Sequence, residues 1–222
     1  MKHQYFKYSL ILLLILSFFS QCTRKRPGWG TYAEIRVLAD STLWVDTEPL
    51  LREIFEKPII TPQKETVFSI IKGDIDNFKR FKNLIFLSTL DGKGTVTDLV
   101  NQNLSPEAKQ KVTEGNYVFL KKESWASNQM IMFLVSQNAE TLIDKITTNK
   151  DYLFNLFNDY WNETQKHLMF RRYEQTEIEQ YLLEKYGWMV KVQYDYDIFI
   201  ENADSENFVT SVEMYSQGSL RG

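Results

Sequence analysis

Met130-Ile131-Met132-Phe133-Leu134-Val135 is apolar at all six positions, so as a strand it points hydrophobic side chains to both faces of its sheet. A strand with that content belongs centrally, flanked by neighbours. Upstream, Tyr117 to Leu120 is a second apolar segment, and the two read as an antiparallel pair. Leu84 to Leu90 is a further strand, closed by the turn chemistry of Asp91-Gly92-Lys93-Gly94.

On the N-terminal side, Ala33, Ile35, Val37 and Ala39 alternate with Glu34 and Arg36, which predicts a half-buried strand. The next helix is expected to carry Pro49 in its first turn and to place Leu50, Leu51, Ile54 and Phe55 on one face until Pro58. Val67 to Ile71 reads as a strand, Ile75 to Phe81 as a helix, and Thr97 to Val112 as helix broken before Pro106. Beyond the central pair, Leu142, Ile143, Ile146, Leu153, Leu156, Phe157, Tyr160 and Trp161 recur at helical spacing, with a break near Asn149. A helix with Ile178, Leu182 and Leu183 ends at Tyr186-Gly187, where glycine takes the left-handed cap. From Trp188 to Glu201 apolar and polar residues alternate as one long strand with a wet face, and Phe208 to Tyr215 is the last strand. The expectation is a single α+β domain over residues 32–222, with a mixed or largely antiparallel sheet and helices packed on one side.

The first 21 residues read as a lipoprotein signal peptide. Lys2 and Lys7 form a basic start without acids, and Tyr8 to Phe19 is a nearly unbroken apolar run of twelve residues. A helix needs roughly 18 to 20 such residues to cross the hydrocarbon core. Ser20-Gln21-Cys22 follows, with the only cysteine of the chain where lipoprotein leaders put the residue that is acylated. The box departs from the usual pattern at Phe19 and Gln21. Acylation of Cys22 would also spare a lone thiol in an oxidising compartment. Residues 22–31, with Pro27, Gly28 and Gly30, read as a short lipidated tether.

Removing residues 1–21 takes away Lys2 and Lys7 and leaves 24 of the 26 basic residues against 29 acids, a charge of −5. Acids and bases are interleaved throughout, which argues against nucleic acid as a partner. The 15 Phe, 12 Tyr and 5 Trp are enough for a substantial core.

Motifs that could carry chemistry are sparse. Gly92-Lys93-Gly94-Thr95 is similar to the end of a phosphate-binding loop, but Gly94 replaces the Ser or Thr after the lysine, and Leu87 replaces the first glycine. A surface turn fits better. Asp74-Ile75-Asp76-Asn77 opens like a calcium loop, yet Phe78 and Lys79 stand where a ligand and a glycine are needed, so these acids read as a helix start. Asp195 and Asp197 are the weak candidates. They form an Asp-x-Asp pair on the wet strand face that could hold a divalent cation or serve a hydrolase. His167 is the sole histidine left after processing, which removes two-histidine metal sites, so no metal or cofactor is expected. Trp44, Trp125, Trp161 and Trp188 could line a ligand groove, though core packing is the plainer reading.

Several stretches resemble a family of uncharacterised bacterial lipoproteins, found mainly in Bacteroidetes-type bacteria and known only as a domain of unknown function. They are Gly30-Thr31-Tyr32-Ala33-Glu34-Ile35, Trp44, Leu51-Arg52-Glu53-Ile54-Phe55, Pro62-Gln63-Lys64-Glu65, Phe81-Lys82-Asn83-Leu84-Ile85, Trp125-Ala126-Ser127-Asn128-Gln129 and Lys185-Tyr186-Gly187. The resemblance implies the envelope address, the fold class and a shortened or truncated member. It implies no activity and no functional residue beyond Cys22.

These readings point to a lipid-anchored protein of the bacterial outer membrane facing the periplasm, held through acylated Cys22 and serving binding or assembly instead of catalysis. Thr23 after the cysteine and the basic Arg24-Lys25-Arg26 favour that membrane and its inner leaflet. A third reading, distinct from both this one and the hydrolase below, is a subunit that docks on an envelope protein partner through an uncovered sheet face. The alternative is an envelope hydrolase of wall or glycan that uses carboxylates near Asp195 and Asp197.

Overall fold

The computed structural model describes residues 25–60, 62–171, 173–204 and 209–216, so Cys22 and the leader lie outside the described residues. The order is β1 (Glu34–Leu38), α1 (Ser41–Phe55), the two-residue strands β2 (Pro58–Ile59) and β3 (Glu65–Thr66), and β4 (Ser69–Lys72). A 3-10 turn (Phe78–Arg80) leads to β5 (Asn83–Thr89), α2 (Thr95–Asn103), α3 (Pro106–Thr113), β6 (Val118–Lys122) and β7 (Met130–Ser136). Then follow α4 (Ala139–Thr148), α5 (Lys150–Met169), α6 (Thr176–Tyr186), β8 (Tyr196–Asp204) and β9 (Val209–Ser216). The chain divides into two compact units, residues 1–155 and 156–222, with the division inside α5.

The first unit is built on a five-stranded mixed sheet in the order β4-β1-β5-β7-β6. The pairs β1 with β4, β1 with β5 and β5 with β7 are parallel, and β6 runs antiparallel to β7. The α+β class and the mixed sheet agree with the sequence, as does the antiparallel pair and the interior place of residues 130–135. The largely antiparallel arm of the expectation gives way, because β5 is buried at every position from Asn83 to Thr89. A strand covered on both faces needs helical crossovers on both sides, and crossovers join parallel strands.

Strand alternation shows where the helices lie. Leu84 and Phe86 of β5, with Leu38, Ile131 and Val135, join Val96 and Val100 of α2 and Val112 of α3 in one cluster. Ile85, Leu87, Met132 and Leu134 point the other way, and α1 and α4 pack there against β5 and β7. Helices therefore cover both faces, a correction to the expected single layer. Leu84, Ile85 and Leu87 are fully inaccessible, each worth roughly 2 kcal/mol of burial.

Local chemistry sets most boundaries. Ser105 Oγ accepts the Ala108 N–H at 3.2 Å and Pro106 occupies the first helical position, so helix stops and restarts there. Asn138 caps α4 through the Thr141 N–H at 2.9 Å, and Asn149 ends it. Two helical expectations shift. Pro49 lies deep inside α1, which begins at Ser41. The carbonyl that proline leaves without a donor is that of Val45, 69 % exposed, where water can serve it. The expected helix over Ile75 to Phe81 shrinks to one 3-10 turn, because the Asp74 carboxylate takes the Asp76 N–H at 3.1 Å and holds a local turn.

The second unit contains the end of α5, then α6 and the antiparallel hairpin of β8 and β9. Gly187 caps α6 at φ +75°, as its sequence position suggests. The long strand expected from Trp188 begins only at Tyr196. Val192 is tied to the start of α6 instead: its carbonyl accepts the Gln175 N–H at 2.9 Å, and its own N–H donates to Glu179 Oε1 at 2.7 Å. Those groups are no longer free for a ladder.

Candidate functional site

At the carboxyl ends of the parallel strands, β1 runs through Asp40 into α1, and its neighbour β5 runs through Asp91 and Gly92 into α2. Because α1 and α2 lie on opposite faces, the two connections part and leave a crevice. Open sheets with parallel strands bind ligands at such a switch of direction. The crevice has a volume of about 310 Å³, and Asp40, Asp46, Thr89, Asp91, Lys93 and Thr97 line it. Asp46, Asp91 and Lys93 are exposed, whereas the two threonines are buried.

The loop that resembles a phosphate cradle lies here, and its seat is taken. Asp40 Oδ1 and Oδ2 accept the N–H groups of Val96 and Thr97 at 3.1 and 2.9 Å, so an internal carboxylate fills the anion position at the start of α2. Gly94 has φ +144°, and a Cβ there would stand 2.3 Å from the Asp40 carboxylate. The turn is packed onto its own acid. What the crevice offers a ligand is hydroxyl, carboxylate and one ammonium, a set suited to a neutral or cationic polar molecule.

The opposite end of the sheet has another character. Residues 26–29, read from sequence as tether, are hydrogen-bonded to it: the Ser127 N–H donates to Arg26 O at 3.0 Å, Gly28 N–H to Ser127 O at 3.1 Å, Trp29 N–H to Arg80 O at 2.6 Å, and Lys82 N–H to Trp29 O at 3.0 Å. Gly28 is buried, and a Cβ on it would meet Lys82 Cγ at 2.8 Å. Arg26, Trp29, Lys79, Arg80 and Trp125 border an open groove of about 490 Å³. The Arg80 guanidinium stacks 4.9 Å from the centre of the Trp29 ring. Lys79 and Trp125 are shared with a smaller apolar cavity of about 130 Å³ walled by Phe78, Phe86, Leu99 and Phe133.

Gln129 organises this end. Its fully buried amide donates to Lys79 O and Phe81 O at 3.1 and 2.8 Å, and its oxygen accepts the Trp125 and Ala126 N–H groups at 3.0 and 3.3 Å. Sequence reading placed Gln129 in a resembling stretch but gave it no task. The available signal was a glutamine just before a wholly apolar strand. Trp29 likewise carries no mark in the sequence beyond a tether's composition around it. Of the four tryptophans considered for a groove, Trp125 lines one and Trp44 is buried in the core.

A family model described as a domain of unknown function, DUF8532, matches residues 28–170. The chain belongs to this family. The DUF8532 match begins at buried Gly28, takes in the whole five-stranded sheet with both of its ends, and runs just past α5. The resembling stretch Lys185-Tyr186-Gly187 falls beyond it. No curated protein and no solved structure matches the chain.

The remaining candidates fall in the second unit or outside the description. Asp195 and Asp197 do not share a strand face. Asp195 sits half-buried in the turn before β8, whereas Asp197 is exposed on the strand, with Oδ1 accepting the Ile198 N–H at 2.8 Å. Among the described residues no group of three or more His, Cys, Asp or Glu is placed to hold a metal ion. His167 is exposed on α5 and borders a shallow recess with Lys166, Glu174 and Lys191. The Lys191 ammonium, hydrogen-bonded to Glu174, holds that carboxyl below the usual range, and Glu174 raises Lys191 in return. Cys22, the proposed lipidation residue, lies outside the described residues.

Proposed function

We propose that this DUF8532 member is a bacterial envelope lipoprotein, acylated at Cys22 and held at the outer membrane facing the periplasm, with a role in binding or assembly and not in catalysis. The leader of residues 1–21 and the single cysteine motivate the anchor. One observation carries the reading further: residues 26–29 are hydrogen-bonded to the amino end of the sheet, while the polar crevice lies at the carboxyl end. Three residues separate Cys22 from Arg26, and the four steps between them reach at most about 14 Å. An anchor there keeps the amino end at the bilayer and turns the crevice toward the periplasm, the arrangement expected of a tethered binding protein. Among the described residues no helix is long and apolar enough to cross a membrane.

The hydrolase alternative needs Asp195 and Asp197 to converge on a substrate, and their separate settings lend it no support. The test is metabolic labelling with palmitate. Label is expected in the wild-type chain and absent from Cys22→Ser, with the wild type in the membrane fraction. Equal labelling of both, or an unlabelled chain in the cytosol with Met1 retained, overturns the proposal. Crosslinking in intact envelopes, followed by identification of the captured molecule, then names the partner.

A further inference from the structure

The groove at the amino end unites exposed cations with an exposed indole on rigid backbone. Arg26, Lys79 and Arg80 are exposed along it, and Trp29 is 59 % exposed although hydrogen bonds fix its backbone on both sides. Lys25, next to Arg26 in sequence, donates to Glu123 O, which brings a further ammonium to the turn that carries Trp125. The acid of that turn, Glu123, is committed: its Oε1 accepts the Asn128 N–H at 2.8 Å. A large indole left in water at a pinned position is costly, whereas at a bilayer interface its apolar body and polar N–H both find their medium.

We infer that this groove is a docking surface for the anionic phospholipid headgroups of a bilayer. Arg26, Lys79 and Arg80 would pair with the headgroup phosphates, and Trp29 would insert at the level of the glycerol backbone. The inference rests on the lipoprotein reading, and the length of chain supports it. Arg26, the first residue of the groove, lies four positions after Cys22, so acyl chains on Cys22 would hold this face within about 14 Å of the membrane. Charge complementarity selects the occupant: each arginine or lysine near an anionic surface strengthens attraction about fivefold, and salt screens it. Gln129 fixes the loops of Lys79 and Trp125, and residues 26–29 are bonded in turn to Ser127, Arg80 and Lys82, so the surface is presented as a unit.

The test uses the full chain purified from bacterial membranes and reconstituted with brominated phosphatidylcholine, with or without phosphatidylglycerol. Trp29 emission is read as the difference between wild type and Trp29→Phe. Quenching of Trp29 is expected in vesicles containing phosphatidylglycerol, with loss at high salt and in the combined Arg26→Ala, Lys79→Ala and Arg80→Ala variant. The salt arm needs no variant and holds even if the triple substitution fails to fold. Equal quenching in phosphatidylcholine alone, no quenching in either vesicle, or crosslinks in intact cells from this surface to a protein instead of lipid overturn the inference. Flotation of wild type and Cys22→Ser reads the anchor separately. A chain that floats through acylated Cys22 yet leaves Trp29 unquenched keeps the lipoprotein and refutes the docking surface. A chain without acyl groups refutes the lipoprotein, while Trp29 quenching that depends on phosphatidylglycerol would still uphold the surface.

Discussion

The two ends of the five-stranded sheet are held together by opposite chemistry. At the carboxyl end the organiser is Asp40, whose two oxygens accept two N–H groups from the start of α2. At the amino end it is Gln129, whose amide donates to two carbonyls and accepts from two N–H groups. A helix start presents only donors, so a pure acceptor with negative charge suits it. Where two loops meet, the backbone leaves donors and acceptors together, and a carboxamide, with two N–H donors and an acceptor oxygen, can serve both. The surfaces differ accordingly, with Asp46 and Asp91 beside Asp40, and Arg26, Lys79 and Arg80 around Gln129.

The largest effect is expected where one organiser is given the chemistry of the other. Gln129→Glu is expected to cost about 4 kcal/mol in denaturant unfolding, since a buried carboxylate would face the Lys79 and Phe81 carbonyls with nothing to donate. If stability is unchanged, the amide is not the organiser. Gly94→Ala follows at about 3 kcal/mol, because its Cβ strikes the Asp40 carboxylate and its φ is one that side chains avoid. A crystal structure of that variant should show Asp40 displaced from α2. Asp40→Asn should cost only about 1 kcal/mol, as an amide oxygen still accepts one of the two N–H groups. A loss as large as that of Gln129→Glu would erase the difference between the ends.

The smallest effect concerns alkaline pH. Tyr117, whose carbonyl accepts the Val135 N–H at the carboxyl end, has its hydroxyl pushed up to about 12 by burial. The folded state then resists an ionisation that the unfolded chain undergoes near pH 10. Its contribution is full below about pH 10 and is lost as pH rises through about 12. Tyr117→Phe should therefore flatten the stability loss over that window and remove one late-titrating tyrosine from the ultraviolet absorbance. An unchanged titration curve would show that Tyr117 is not the hindered group.

Much of the fold was legible where local chemistry and periodicity agree. Ser105-Pro106, Asn149 and Gly187 marked their boundaries because caps and breakers act within a few residues. The apolar segment from Met130 announced an interior strand for the same local reason. What escaped was non-local. Trp188 to Ile200 has a strand's alternation, yet the Gln175 N–H and the Glu179 carboxylate claim the backbone of Val192 from well upstream in the chain. Residues 26–29 have a tether's composition, yet Arg80, Lys82 and Ser127 supply their partners.

By itself the sequence determined the α+β class, the interior place of residues 130–135 and the caps that begin and end several helices. It also showed that the Lys93 turn lacks the residues of a phosphate loop. Tertiary structure alone decided that the sheet is mostly parallel, that its two ends carry opposite chemistry, and that Asp40 and Gln129 organise them. The physical reason is range: hydrophobic period and capping are properties of neighbours along the chain. The partners of Asp40 lie more than fifty residues away, and those of Gln129 in part nearly as far, so which donors and acceptors a buried side chain meets is set only once the strands are in register.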